Sequence, residues 1–86
     1  MENLIEEGDV IRPNNVILKM QLLYDQAPYE MIKKGMVFKM NHNVYLQLVH
    51  AYGEKSPNIF MPLNFLTCQI VRIDEIPNNT IILSIN

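Results

Sequence analysis

A single cysteine, Cys68, is all the thiol this chain of 86 residues contains, and that scarcity excludes two small-protein classes. One cysteine cannot close an internal disulfide, and with no second cysteine and no Cys/His cluster there is no zinc-ribbon or zinc-finger framework. Glycine is nearly as sparse. Gly8, Gly35 and Gly53 lie far apart, so no glycine-rich loop is available to cradle a phosphate, and each glycine fits a turn. Basic charge is also short. Seven Lys and Arg against nine Asp and Glu give a net charge of -2, which provides no general attraction to a phosphate backbone. No apolar run approaches the length of a membrane span, and the early acidic residues Glu2, Glu6 and Glu7 are the reverse of a signal peptide's basic segment. Membrane partners are not expected, and a reducing, cytoplasmic setting is.

Apolar side chains make up 49% of the chain and charged ones 19%. That balance is globular and slightly rich in apolar surface. A chain of this size buries roughly 60 to 65% of its unfolded surface, enough for one modest core. Residues 1–86 therefore read as one domain, with no repeat or linker. Asn and Ile are abundant, a bias that suggests an AT-rich genome such as a phage's.

The pattern along the chain reads mostly as strand. Asn3 and Glu6 can cap one helical turn that Gly8 ends, giving a short arm over residues 1–9. Val10-Ile11 and then Val16 to Tyr24 read as strands, because Leu18, Met20, Leu22 and Tyr24 recur with period two. Asp25 to Lys34, with Pro28 inside and Gly35 after it, reads as a long loop. Met36 to Met40 is the next strand. Asn41-His42-Asn43 has hairpin-turn composition, followed by a strand from Val44 to Ala51. Gly53 to Asn58 reads as a turn, Ile59 to Met61 as a brief strand, and Pro62 to Phe65 as a tight turn. Thr67 to Ile73 and Thr80 to Ile85 are β-branched strands around an Asp74 to Asn79 turn, with Ile81, Leu83 and Ile85 on one face.

The stretch that begins Leu22-Leu23-Tyr24-Asp25, passes through Lys33-Lys34-Gly35 and closes with Met61-Pro62-Leu63-Asn64-Phe65-Leu66 resembles the SH3-like barrels. There an ALYDY-type strand leads into a long loop, a Lys-Lys-Gly-Asp-type turn opens the second strand, and a Phe-Pro-Ser-Asn-Tyr-Val-type turn precedes the last. The resemblance covers about half the chain. It implies an all-β fold: a small SH3-like barrel over about residues 10–73, with a long loop after the first barrel strand and an extra C-terminal strand near 80–85. Of the residues that line the SH3 peptide groove, Tyr24, Pro62 and Phe65 match. Gln26 replaces the second ALYDY aromatic, and Asn43-Val44 or Val44-Tyr45 the tryptophan pair. With the groove's aromatics reduced, polyproline recognition is not the expected activity.

Catalysis has no visible seat in the sequence. His42 and His50 lack adjacent carboxylates and fall short of the three protein ligands of a catalytic zinc. Cys68 lies in a strand-like run without the electropositive setting of a reactive thiol, so a buried, inert role is expected. No enzyme activity, metal site or cofactor is expected. Loop residues are instead unusually apolar: Pro28, Tyr29, Met31 and Ile32, with Met61 and Leu63 near the closing turn. The expected function is a small, non-catalytic protein-interaction module, of phage or mobile-element type, that binds and blocks a host factor. Its expected partner-binding residues are Tyr24, Tyr29, Met31, Ile32, Pro62 and Phe65. Two alternatives stand beside it. Lys33, Lys34 and Lys39, with Lys19 and Arg72, can form a basic patch beside Tyr24, Tyr29 and Tyr45 for nucleic acid. The uncharged strand Thr80 to Ile85 can also present a free edge for a homo-oligomer.

Overall fold

The computed structural model describes residues 3–53 and 64–85. Its elements run β1 (Asn3–Glu6), α1 (Val16–Gln26), α2 (Tyr29–Lys34), β2 (Met36–Met40), α3 (His42–Gly53), β3 (Asn64–Phe65), β4 (Cys68–Arg72) and β5 (Ile81–Ile85). The strands form one five-stranded sheet in the order β1-β5-β2-β4-β3. Of the described residues, 40% are helical and 29% in strands. The fold is therefore not all-β: it is an open mixed sheet with helices. Pairing is antiparallel except between β2 and β4, which run parallel on either side of α3. A parallel pair needs a crossover connection, and α3 lies within it.

Two expected strands are helices. Val16 to Tyr24 satisfies a period of two through Leu18, Met20, Leu22 and Tyr24, but Val16, Met20 and Leu23 also satisfy a helical period, and those three are the buried apolar residues of α1. A run of this length favours the helix. The turn before it is fastened by Asn15, whose Oδ1 accepts the Arg12 N–H at 2.8 Å while its Nδ2 donates to the Val10 carbonyl at 3.0 Å. Val44 to Ala51 repeats the ambiguity. Asn41 does not turn a hairpin; its Oδ1 accepts the Val44 N–H at 2.9 Å and caps α3. Val44, Tyr45, Leu48 and Ala51 then face inward at helical spacing. The leading Leu22-Leu23-Tyr24-Asp25 of the SH3 resemblance thus lies in a helix, and the expected loop Asp25 to Lys34 contains the short helix α2.

At the start of the chain the expected helical turn is strand β1, and Val10-Ile11 lies outside any strand. Met36 to Met40 and the strand within Thr67 to Ile73 form as expected. The expected turn after Gly53, the strand Ile59 to Met61 and Pro62 lie outside the described residues. Ile81, Leu83 and Ile85 share a face as expected, but β5 is no terminal addition: it sits between β1 and β2. β5 is thus paired on both sides from Ile81 to Ser84, which takes up the edge expected to be free for self-association.

The core lies between the helices and one sheet face. Phe38, Leu83, Ile81, Met40 and Ile70 from the strands meet Val16, Met20 and Leu23 of α1, Met31 of α2, and Val44 and Leu48 of α3. Phe38 is fully buried and meets Phe65 edge-to-face, with ring centroids 5.9 Å apart at 73°. Such a pair contributes about 0.5–1.5 kcal/mol beyond its burial. Strand alternation sends the intervening residues to the other face, where register aligns Ile5, Ile82, Lys39 and Val71 across four strands. Val37 and Ser84 sit in the next row of that face and are buried, and among the described residues the Ser84 hydroxyl has no hydrogen-bond partner.

Candidate functional site

Helix α2 is held by one inward residue. Ala27 and Pro28 are extended, with ψ of 128° and 155°, so the chain leaves α1 and restarts as a second helix. Gly35, at φ 88°, ends α2 in a conformation that favours glycine and turns the chain into β2. Met31 is 2% exposed and belongs to the core. Residues three and four apart share a helix face, so with Met31 inward the outward face carries Tyr29, Ile32 and Lys33. Tyr29 is 74% exposed and Ile32 41%. Tyr29, Glu30, Lys33 and Lys34 line a shallow hollow of about 420 Å³.

The six residues expected to bind a partner thus divide. Tyr29 and Ile32 lie together at the surface. Met31 is core, because a helix turns it away from its neighbours where a loop would not. Tyr24 is half-buried against the core from α1, and Phe65 is buried beneath Phe38. Pro62 lies outside the described residues.

The basic and aromatic set expected for nucleic acid is scattered. Lys19 is a buried lysine that donates to Glu6 at 3.0 Å and to Asp9 at 3.4 Å. The hydrogen bond to Glu6 holds its pKa above the ordinary lysine value, against the opposing effect of burial. Tyr45 is buried in the core, with the Arg72 guanidinium 4.8 Å from its ring centre. Lys39 points to the sheet face away from the helices, so only Lys33 and Lys34 remain beside an exposed tyrosine.

A second depression, of about 390 Å³, opens where β2 and β4 end and α3 begins, lined by His42, Arg72 and Asp74. Both histidines are exposed on α3, which corrects the hairpin turn expected at His42. Among the described residues no group of three His, Cys, Asp or Glu can hold a metal ion, and no helix is long and apolar enough to cross a membrane. Cys68 is buried as expected. Its thiol donates to the Leu66 carbonyl at 3.5 Å, and burial pushes its pKa up.

Sequence reasoning missed the work of several asparagines, which it read as turn residues or as compositional bias. Besides Asn15 and Asn41, Asn79 accepts the Ile11 N–H at 3.0 Å and so ties the segment before α1 to the turn before β5. It also missed Leu18 and Leu22 of α1, which are 57% and 46% exposed; their four-residue spacing was the available signal. No family model, curated protein or solved structure matches the chain.

Proposed function

We propose that the protein is a small non-catalytic module that binds another protein, with the outward face of α2 as its recognition element. The observation that carries this reading is Tyr29, 74% exposed beside the exposed Ile32 on a helix anchored by Met31 alone. Tyrosine is enriched at protein interfaces because it supplies apolar area and a polar tip at low entropic cost. Lys33 and Lys34 beside it favour a partner with acidic residues around an apolar hollow. A cytoplasmic setting suits the single buried thiol, and blocking of a host factor is the mode of action we infer.

The test is the double substitution Tyr29→Ser with Ile32→Ser. Tyr29 is largely solvated and Ile32 lies at the surface outside the core, so the melting temperature should stay nearly unchanged while capture of a nuclease-resistant, stoichiometric partner from native lysate is lost. Unfolding of the double variant, or capture that persists, would overturn the reading. The hollow formed by Tyr29, Lys33 and Lys34 also suits stacking of a base beside cationic side chains. Recovery that vanishes with nuclease would favour that second reading.

A further inference from the structure

We propose that the outer edge of β1 receives an extended, basic segment of another protein, which adds to the sheet as a further strand. β1 pairs with β5 on one side through four successive residues, and among the described residues nothing pairs with its other side. Alternate N–H and C=O groups of Asn3–Glu6 therefore point outward. Outer strands are guarded by charge, lysine above all, by proline, by a bulge or by shortness, and β1 has only its short length and the terminal Glu6, which is tied to Lys19. Asn3-Leu4-Ile5-Glu6 has no lysine, proline or bulge, and its register is continuous.

What flanks the edge specifies the incoming side chains. The 3.0 Å bond from Lys19 to Glu6 fixes which side of α1 overhangs β1. Leu22 follows Lys19 by one turn on that side, and Leu18 lies next to it toward solvent. An added strand's side chains on the helix side would cover these exposed leucines. On the opposite side Ile5, 55% exposed, begins the row Ile5, Ile82, Lys39 and Val71, and an apolar residue of the added strand would extend it. The edge thus offers apolar contact above and below the incoming strand, with backbone hydrogen bonds between.

Charge selects the occupant. At the end of β1, Glu6 and Asp9 share the single cation Lys19, and the exposed Glu7 follows Glu6 in the chain, which leaves the end acidic. Antiparallel pairing of two copies through so short a strand would set their acidic ends about 10 Å apart, a repulsion that salt largely screens, and would supply no opposite charge to either end. A segment carrying Lys or Arg meets opposite charge instead. This surface uses β1 and α1 and none of the outward residues of α2, so the failure of either proposal leaves the other standing.

The experiment is a nuclear magnetic resonance titration with the capped peptide Lys-Val-Thr-Val-Thr-Val-Lys. Saturable shifts should appear at the Asn3–Glu6 amides and the Ile5, Leu18 and Leu22 methyls. Replacing both lysines of the peptide with glutamate should weaken binding roughly tenfold, the effect of a few exposed charge pairs. N-methylation of alternate peptide amides should abolish it. Equal affinity for the basic and acidic peptides, saturable shifts confined to other elements, or no binding at the solubility limit would each overturn the proposal. So would a dimer of the free protein that protects the β1 amides from exchange.

Discussion

Replacing Thr67 with glycine should make the protein more stable, although the substitution removes side-chain atoms and adds backbone freedom. β3 and β4 pair Phe65 with Cys68, which leaves Leu66 and Thr67 as a two-residue loop with φ of 50° and 65°. Such loops suit the twist of a hairpin but favour Asn-Gly, because a side chain at positive φ crowds its own backbone. For a β-branched residue the conformation costs about 1–2 kcal/mol. Glycine removes that cost and loses about 0.5–1 kcal/mol to its larger unfolded-state entropy. Thr67 is exposed, so no packing is lost. The expected net gain is about 0.5–1 kcal/mol, or a rise of about 3–6 °C in melting temperature for a domain of this size. Thermal and urea unfolding of Thr67→Gly and Thr67→Ala would measure it. Alanine keeps a Cβ at positive φ and should gain less than glycine. At an ordinary φ, alanine would be the better residue by about 0.5–1 kcal/mol. An alanine variant as stable as the glycine variant, or more so, would refute the reasoning.

Ser84→Ala should stabilise the fold by about 1 kcal/mol, since the hydroxyl is buried with no partner among the described residues; a lowered urea midpoint would contradict this. Lys19→Met should cost about 1–2 kcal/mol at neutral pH by removing the bonds to Glu6 and Asp9. The folded-state pKa of Lys19 is raised, so its contribution is complete below the unfolded-state pKa of lysine and fades as pH climbs through the folded one. The stability gap between wild type and variant should therefore narrow in alkali, and a constant gap would show that charge is not its origin. Cys68 should react with iodoacetamide far more slowly in the folded protein than in urea, because its thiol is buried and held protonated; equal rates would place it at the surface.

The strand Met36 to Met40, the turn before β5 and the buried Cys68 were legible because each depends on local composition. The helices α1 and α3 were not, since Val16 to Tyr24 and Val44 to Ala51 carry enough apolar residues to satisfy two periods at once. What separates the alternatives is nonlocal or small: a sheet on which Met20 and Leu23 can lie, and the Asn41 amide that starts α3 where a hairpin turn seemed to be written. The exposure of the residues expected to bind a partner was half legible for the same reason. Tyr29 and Ile32 were singled out for being apolar in a polar context, but only the helical turn of α2 separates them from Met31. The edge of β1 was hidden by reading Asn3 as a cap.

The central position of β5 bears on how the molecule is made. Asn3 pairs with Ser84, and among the described residues β1 joins the sheet only through a strand that follows every other element. During synthesis β1, α1, α2 and β2 leave the ribosome with their joining strand still unmade. The contacts that unite the first strand with the rest span nearly the whole sequence, a topology that slows folding and prolongs exposure of unpaired edges. Until Ile81 to Ile85 emerges, the edges of both β1 and β2 that it will occupy stand open to whatever segment reaches them first.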